Sequence, residues 1–346
     1  MGTSYGLVKK KFAVLTSESC AVMQKTFLML YLISFLLGGA GAWIIVKWGF
    51  KLSLFDKPNL RSSHKTVTPK GGGIGILAAF FVCSIAFSIP NSFWIPAVFI
   101  SLFSFWGDHS EIRPKIRLLF QLAAGTILLI GILIENGGGS APYLLMPLLA
   151  VFLVGTANFY NFMDGINGIA GITGIIGFGL IAFHALNFGD NSHLSTLAIC
   201  MSISCMGFLP FNVPKARVFM GDVGSILLGF VFAGMVVYIS KSFLDFVCLA
   251  AFLFPFYADE LTTMTIRIRD GEKLSKPHRR HLYQLLANEY SIQHWKVSFG
   301  YGLFQLFVGI SVLWLKSAGS AAVLSALMLY FCAFVIFSFM LRNKVE

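Results

Sequence analysis

Eleven apolar runs follow one another along the 346-residue chain, and they limit its fold more than any other feature. Most reach about 17 residues or more, the length that a helix needs to cross a bilayer. Because lipid offers no hydrogen-bond partner, backbone groups there must be satisfied inside helices or a closed barrel, and no run alternates like a barrel strand. The runs lie at 27–47, 74–90, 93–106, 117–134, 143–160, 169–186, 194–211, 224–240, 243–261, 297–315 and 320–341.

The composition indicates the same class of protein. Hydrophobic residues make up 57% of the chain and charged residues 12%, whereas about a quarter of a soluble domain is charged. We therefore predict an all-α, polytopic integral membrane protein with about eleven transmembrane helices and no sizeable soluble domain. The six cysteines form no C-x-x-C pair and most lie in apolar runs, so we interpret them as small packing residues.

Basic residues are concentrated in alternate loops, in a chain whose formal net charge is +11. The positive-inside rule places such loops in the cytoplasm, so that an eleven-helix chain begins outside and ends inside the cell. Nearly all unusual polar clusters lie in these same loops, which predicts an active site on the cytoplasmic face. The loops are 48–73, 107–116, 212–223 and 262–296.

The first residues fit this orientation poorly, because Lys9, Lys10 and Lys11 would lie on the outer side. We interpret residues 1–22 as a disordered N-terminal extension, with Met23 as a candidate natural start. Residues 23–346 then form a single transmembrane domain.

The first basic loop predicts a binding site for an anion such as a phosphate. Proline and three consecutive glycines exclude helix here, and glycine lets backbone N–H groups approach a ligand closely. An ordinary positive-inside loop followed by a glycine-rich helix start is the alternative. The candidate binding residues are Asp56, Asn59, Arg61, His64, Lys70 and Gly72.

A polar series marks the end of the fifth run, where Asn158, Asn161, Asp164 and Asn167 recur at every third residue. Residues three apart share a helix face, so these side chains project together. Amides and a carboxylate at a membrane helix end are costly unless they serve a site or pair across helices. A hydrogen-bonded packing seam is therefore the alternative to a site.

Acidic residues stand at two further loop ends. Asp222 lies between glycines at the start of the eighth run, and Asp108 and Glu111 follow the third. Hard oxygen ligands from several loops favour Mg²⁺ over zinc, which prefers histidine and cysteine. For a single aspartate at this position, capping of a helix is the alternative.

The longest basic loop carries His278, Arg279, Arg280 and His281. A cationic loop with imidazoles suits a diphosphate or a sugar hydroxyl, and its alternative is a patch that binds lipid headgroups.

Together these segments resemble the polyprenyl-phosphate N-acetylhexosamine-1-phosphate transferases of bacterial envelope synthesis. The resemblance covers nearly the whole chain from about residue 27, in order. It depends on Asp56-x-Pro-Asn-x-Arg-Ser-x-His64 with Thr-Pro-x-Gly-Gly-Gly, on Asn-x-x-Asn-x-x-Asp-Gly-x-Asn-Gly168 and on Val-Phe-Met-Gly-Asp222-x-Gly-Ser. The form Pro-His-Arg-x-His281-x-Tyr-Gln is most similar to the branch that initiates O-antigen.

The resemblance implies that undecaprenyl phosphate attacks a UDP-N-acetylhexosamine, giving a lipid diphospho-sugar and UMP. It implies catalytic roles for Asp108, Asp164, Asp222 and His281, with Mg²⁺ or Mn²⁺ held by Asp222 and Asp108. The expected partners are the two substrates, the bilayer of the bacterial inner membrane and a second copy in a homodimer, without nucleic acid.

One position departs from the family's pattern. The family has an Asp-Asp pair before the Arg-Leu-x-x-Gln element that begins at Arg117, and here Gly107 replaces the first acid. We expect His109 or Glu111 to compensate. The rival functions are a transporter or flippase of a lipid-linked anion and the phospho-muramoyl-pentapeptide transferase of peptidoglycan synthesis.

Overall fold

The computed structural model describes residues 3–58, 63–110, 112–135, 140–188, 192–274 and 278–344. Within them the chain is almost entirely helical, apart from one two-stranded antiparallel sheet, β1 (Phe55–Asp56) with β2 (Thr68–Pro69). The helices are α1 (Thr3–Trp48), α2 (Ile74–Ala86), α3 (Asn91–His109), α4 (Pro114–Glu135), α5 (Ser140–Met163), α6 (Ile169–Phe188), α7 (Ser192–Phe208), α8 (Asp222–Ile239), α9 (Phe243–Ala250), α10 (Phe254–Arg269), α11 (Leu282–Asn288), α12 (His294–Leu315) and α13 (Ser320–Arg342).

The apolar runs are helical, and the chain is a multi-pass membrane protein. In the described part of the chain, eight helices are long and apolar enough to cross a membrane, so the predicted number of eleven is not confirmed. Helix α2, with 13 residues, is shorter than a span. The run 243–261 is divided into α9, a 3-10 turn and α10, because Pro255 in the first turn of α10 has no N–H to continue the preceding helix.

Helix α8 forms the centre of the bundle, and 83% of its residues are buried. It packs closely against α5, since a side chain at Gly229 would lie 2.7 Å from the Ala157 Cα atom. Outer helices such as α13 are only 17% buried and expose large apolar side chains, as expected for surfaces that face lipid. The close approach of α5 and α8 brings the polar end of α5 beside the start of α8.

The basic loops meet at one end of the bundle, which agrees with their predicted common side. Lys70 pairs with Asp108 at 3.2 Å, and the Asn288 amide donates to the Ser63 hydroxyl at 3.1 Å. A separate polar group lies at the opposite end, where Tyr238 donates to Glu135 at 2.7 Å. The predicted cytoplasmic location of the basic end remains a prediction.

The N-terminal part of the chain, from Thr3, continues the helix of the first span. The backbone of α1 begins at Thr3, although we expected a disordered extension over residues 1–22. This segment has no proline to stop a helix, and it continues directly into the span that begins at Gln24. The proposed domain boundary at residue 23 stays a prediction.

The location of the basic loops at one end of the bundle predicts a membrane topology that cysteine labelling can test. In a background without the six native cysteines, we expect His109→Cys and Lys273→Cys to react from the cytoplasmic side and Lys241→Cys from the other side, because the first two lie at the basic end. A membrane-impermeant maleimide applied to inside-out and right-side-out vesicles measures this. Labelling of His109→Cys and Lys273→Cys from opposite sides would contradict the topology.

Candidate active site

The start of α8 is held by the glycine loop that precedes α2. The Phe219 N–H donates to the Pro69 carbonyl at 2.8 Å, and the Gly71 and Gly72 N–H groups donate to the Phe219 carbonyl at 3.1 and 2.9 Å. The Gly73 N–H donates to the Met220 carbonyl at 2.9 Å. This corrects the prediction for Gly72, because backbone carbonyls use the N–H groups that we expected to face a phosphate.

Asp222 is the centre of the polar cluster at this end of the bundle. Its Oδ2 accepts from Arg117 Nη1 at 2.6 Å, and its Oδ1 accepts from Asn161 Nδ2 at 2.9 Å. Its backbone N–H donates to Asp108 Oδ2 at 3.0 Å, while the other oxygen of Asp108 pairs with Lys70. Predicted residues from two other segments, Asp108 and Asn161, therefore contact Asp222, and Lys70 joins the cluster through Asp108.

These groups line a cavity of about 280 Å³, which we call the acidic cavity. Seven of the predicted residues face it: Asp56, His64, Lys70, Asp108, Asn161, Asp164 and Asp222. Within the cavity, the Asp56 carboxylate lies 3.7 Å from His64 Nε2. A cavity lined by several carboxylates and few cations favours a bound cation, or an anionic substrate that binds together with a cation.

Crowding of the carboxylates is also visible in their pKa values. Burial raises the pKa of Asp108 to about 7, the Asp222 carboxylate adds to the shift, and Lys70 opposes it. Burial likewise raises the pKa of Asp164 well above its usual range, with Asp222 and Asp108 adding to the shift. Burial and the neighbouring like charges therefore both favour the protonated forms of Asp108 and Asp164.

A second cavity of about 560 Å³, the histidine cavity, is lined by both His278 and His281. Asn158, which forms an amide pair with Gln121 at 2.7 Å, lines it as well. Asn161 faces both cavities, so the two are neighbours. Burial lowers the pKa of His278 to about 4, which keeps its imidazole neutral near pH 7.

The His281 loop is anchored by a buried carboxylate. Asp259 is 0% exposed and accepts from the Leu282 N–H at 2.8 Å, the Tyr283 N–H at 3.2 Å and the Tyr301 hydroxyl at 2.7 Å. The Glu260 carboxylate lies 3.4 Å from His281 Nε2. Asp259 therefore fixes the start of α11, and with it the position of His281.

Some predicted residues lie away from both cavities. Asn167 donates to the Pro214 carbonyl at 3.2 Å, and Arg279 pairs with Glu289 at 2.8 Å. Arg280 pairs with two acids of its own loop, Asp270 and Glu272. Asn59, Arg61 and Glu111 lie outside the described residues.

We expected His109 or Glu111 to replace the missing first acid, and of these two only His109 lies within the described residues. His109 is exposed at the end of α3 and does not line the acidic cavity. The predicted compensation by this residue has no support in its position.

Sequence reasoning did not select Arg117, Glu260 or Gln284 as site residues, although each lines the histidine cavity. Gln284 lines the acidic cavity too. A signal was present for Arg117 in the Arg-Leu-x-x-Gln element and for Glu260 in the rarity of acids in apolar helices.

The donor set suits Mg²⁺ by its chemistry. The Asp108 and Asp222 carboxylates face one cavity and supply the hard oxygen ligands that this ion prefers. Within the described residues, however, no three carboxylate, histidine or cysteine side chains are already grouped as a metal site. The two carboxylates are paired with Lys70 and Arg117.

Comparison with known proteins identifies the class. The profile of glycosyl transferase family 4 matches residues 90–240. A "probable undecaprenyl-phosphate N-acetylglucosaminyl 1-phosphate transferase" of Bacillus subtilis (strain 168) is 25% identical over 292 residues, which cover 80% of this chain and 81% of the relative.

Two further relatives agree. An "undecaprenyl-phosphate alpha-N-acetylglucosaminyl 1-phosphate transferase" of Thermotoga maritima is 26% identical over 71% of this chain and 76% of its own length. A "phospho-N-acetylmuramoyl-pentapeptide-transferase" of Shouchella clausii is 23% identical over 76% of this chain and 90% of its own length.

The multi-pass fold and these matches define a membrane-embedded transferase of phosphosugars. These matches confirm the predicted resemblance of the chain to the polyprenyl-phosphate N-acetylhexosamine-1-phosphate transferases.

Proposed function

We propose that the protein transfers N-acetylhexosamine-1-phosphate from a UDP-sugar to undecaprenyl phosphate, forming a lipid diphospho-sugar and UMP. The observation that carries this proposal is the convergence of Asp108, Asp164 and Asp222 with Lys70 and Arg117 at one end of an apolar bundle. Such a cluster suits charged phosphates at a membrane surface. The reaction would occur at the cytoplasmic face of the bacterial inner membrane.

The two cavities suit the two substrates. The acidic cavity is polar and includes Asn161, Asp164 and Lys70, which suits a nucleotide diphosphate with a cation. The histidine cavity has apolar walls, among them Leu118 and Phe162, whose side chains are 47% and 50% exposed on the outside of the bundle. An isoprenoid phosphate would reach the cavity along such a surface.

In the proposed reaction, an oxygen of the lipid phosphate attacks the phosphorus that bears the sugar. A new P–O bond forms there, and the bond from this phosphorus to the oxygen of UMP breaks. Phosphoryl transfer depends on positioning and charge neutralisation more than on covalent help from the protein. Asp108 and Asp222 would hold Mg²⁺, which neutralises developing charge on the diphosphate when bound.

Residues of the chain supply the remaining interactions. Lys70 and Arg117 would neutralise phosphate oxygens, and His281, held by Asp259, would hydrogen-bond the sugar-phosphate. Asn161, which lies between the two cavities, and Asn158, which lines the histidine cavity, would orient the donor. Roles for Asn167, Arg279 and Arg280 remain proposals, since these residues lie away from both cavities.

We assign the protein to the initiation of O-antigen or a similar envelope glycan. Support comes from the Pro-His-Arg-x-His281 form of the last motif and from the N-acetylglucosaminyl transferases among the relatives. Assembly as a homodimer is part of the same proposal.

A membrane assay tests the function. Membranes containing the protein receive undecaprenyl phosphate, Mg²⁺ and UDP-N-acetylhexosamines labelled in the sugar, and both lipid-linked label and UMP are measured. We expect the two products in equal amounts with one hexosamine preferred. Label transferred only from a UDP-muramoyl-peptide would assign the protein to the peptidoglycan branch, and lipid movement without UMP would indicate a flippase.

A further inference from the structure

Arg117 occupies one of the two carboxylate oxygens of Asp222. Its Nη1 donates to Asp222 Oδ2 at 2.6 Å, in a pair whose side chains are 34% and 24% exposed. The same side chain lines the histidine cavity. Arg117 therefore connects the carboxylate at the centre of one cavity with the space of the other.

Gly107 makes this position available to the guanidinium. Arg117 Nη2 donates to the Gly107 carbonyl at 3.1 Å, and a Cβ atom at Gly107 would lie only 2.8 Å from the same Nη2. Any side chain at this position would push the guanidinium aside. A carboxylate there would also draw it away from Asp222, because the two groups carry opposite charge.

The other carboxylate is neutralised in a similar way. Asp108 pairs with Lys70 at 3.2 Å, and the remaining oxygen of Asp222 accepts from Asn161. Both carboxylates that would face a divalent ion thus already have a cation supplied by the chain. A divalent ion bound to the same Asp222 oxygen would lie within a few ångströms of the guanidinium, and like charges that close repel strongly.

We propose that Arg117 is an internal counter-ion of Asp222 that a divalent cation must displace, and that the displaced guanidinium then binds the diphosphate of the donor. Only the second half rests on the proposed function. The space for the movement lies where the histidine cavity, which Arg117 borders, adjoins the acidic cavity at Asn161 and so reaches the donor's diphosphate. Guanidinium is well suited to this second role, because its planar fork matches two phosphate oxygens.

Titration with Mn²⁺ tests the first half. Free Mn²⁺ is measured by electron paramagnetic resonance as it is added to the purified full-length protein in nanodiscs. We expect Arg117→Gln to bind Mn²⁺ at least tenfold more tightly than the wild type, and Gly107→Asp to bind it more tightly as well. Arg113→Gln removes an exposed arginine directly before α4, the helix that carries Arg117, and should leave the dissociation constant unchanged.

Equal or weaker Mn²⁺ binding by Arg117→Gln would overturn the counter-ion role, and so would a failure of every variant to bind Mn²⁺. Asp222→Asn should remove the tight binding of Arg117→Gln in a double variant, which places the ion at this carboxylate. Thermal unfolding of each variant identifies any that lose the fold. These measurements need no substrate, so their result is separate from that of the transfer assay.

Kinetics at saturating Mn²⁺ test the second half. Arg117→Gln should raise the KM for the UDP-sugar more than it lowers kcat, and Arg117→Lys should restore part of the loss. An unchanged KM in Arg117→Gln would overturn the role in binding the donor. Absence of transfer in the wild type would instead count against the proposed function.

Discussion

Asp222→Asn should reduce transfer to less than a tenth of the wild-type rate while the protein still folds. The substitution keeps the size of the side chain and removes the charge on which Arg117, Asn161 and any bound cation depend. A tenfold loss corresponds to about 1.4 kcal/mol in the activation barrier, and loss of a metal ligand should exceed this. The rate of lipid-linked product in the membrane assay, corrected for the amount of protein, measures the effect.

Glu135→Gln is the matched control for this substitution. Glu135 lies at the opposite end of the bundle, where it accepts from Ser92 and Tyr238. Its loss should leave the transfer rate unchanged. If Asp222→Asn retained more than a tenth of the rate, the carboxylate could not be a direct ligand of the reacting complex.

Asp259→Ala should destabilise the protein by about 3 kcal/mol or more and reduce activity at the same time. The buried carboxylate accepts from two N–H groups of α11 and from the Tyr301 and Thr263 hydroxyls, and alanine leaves the two N–H groups and the Tyr301 hydroxyl, three donors, without a partner. Each buried donor without a partner costs about 1–3 kcal/mol. The midpoint of thermal unfolding in detergent and the transfer rate are the two measurements.

Tyr301→Phe removes only one of these bonds and should cost about 1 kcal/mol. Asp270→Asn weakens only surface ion pairs with Arg269 and Arg280 beyond the end of α10 and should change the unfolding midpoint far less than Asp259→Ala. An Asp259→Ala protein that unfolds like the wild type would show that the His281 loop is held by other contacts.

The sequence predicts the class of fold and the centre of the site because both follow from local patterns. Apolar runs determine the helices directly, since lipid leaves the backbone no alternative. The polar series from Asn158 to Asp164 has the spacing of one helix face, and the structure brings two of its members to the acidic cavity. Asp108 and Asp222, at the ends of other runs, converge on the same space.

Local sequence patterns do not predict the contacts between distant segments of the chain. The residues near Gly72 do not indicate that the Phe219 and Met220 carbonyls accept hydrogen bonds from the N–H groups of its loop. The guanidinium of Arg280 suits a phosphate ligand, yet it pairs with the carboxylates of Asp270 and Glu272. Pro255 is a helix-breaking residue in the sequence, but it lies inside an apolar run of ordinary length, and that run predicts one continuous helix.

The adjacency of the two cavities across Asn161 has a consequence for how the reaction should be measured. A donor dissolved in water is counted per volume, whereas an acceptor that arrives along the apolar wall is counted per area of bilayer. Diluting the vesicles with plain phospholipid at constant bulk concentrations should therefore slow the proposed reaction as if acceptor had been removed. Diluting them with buffer should act only through the donor.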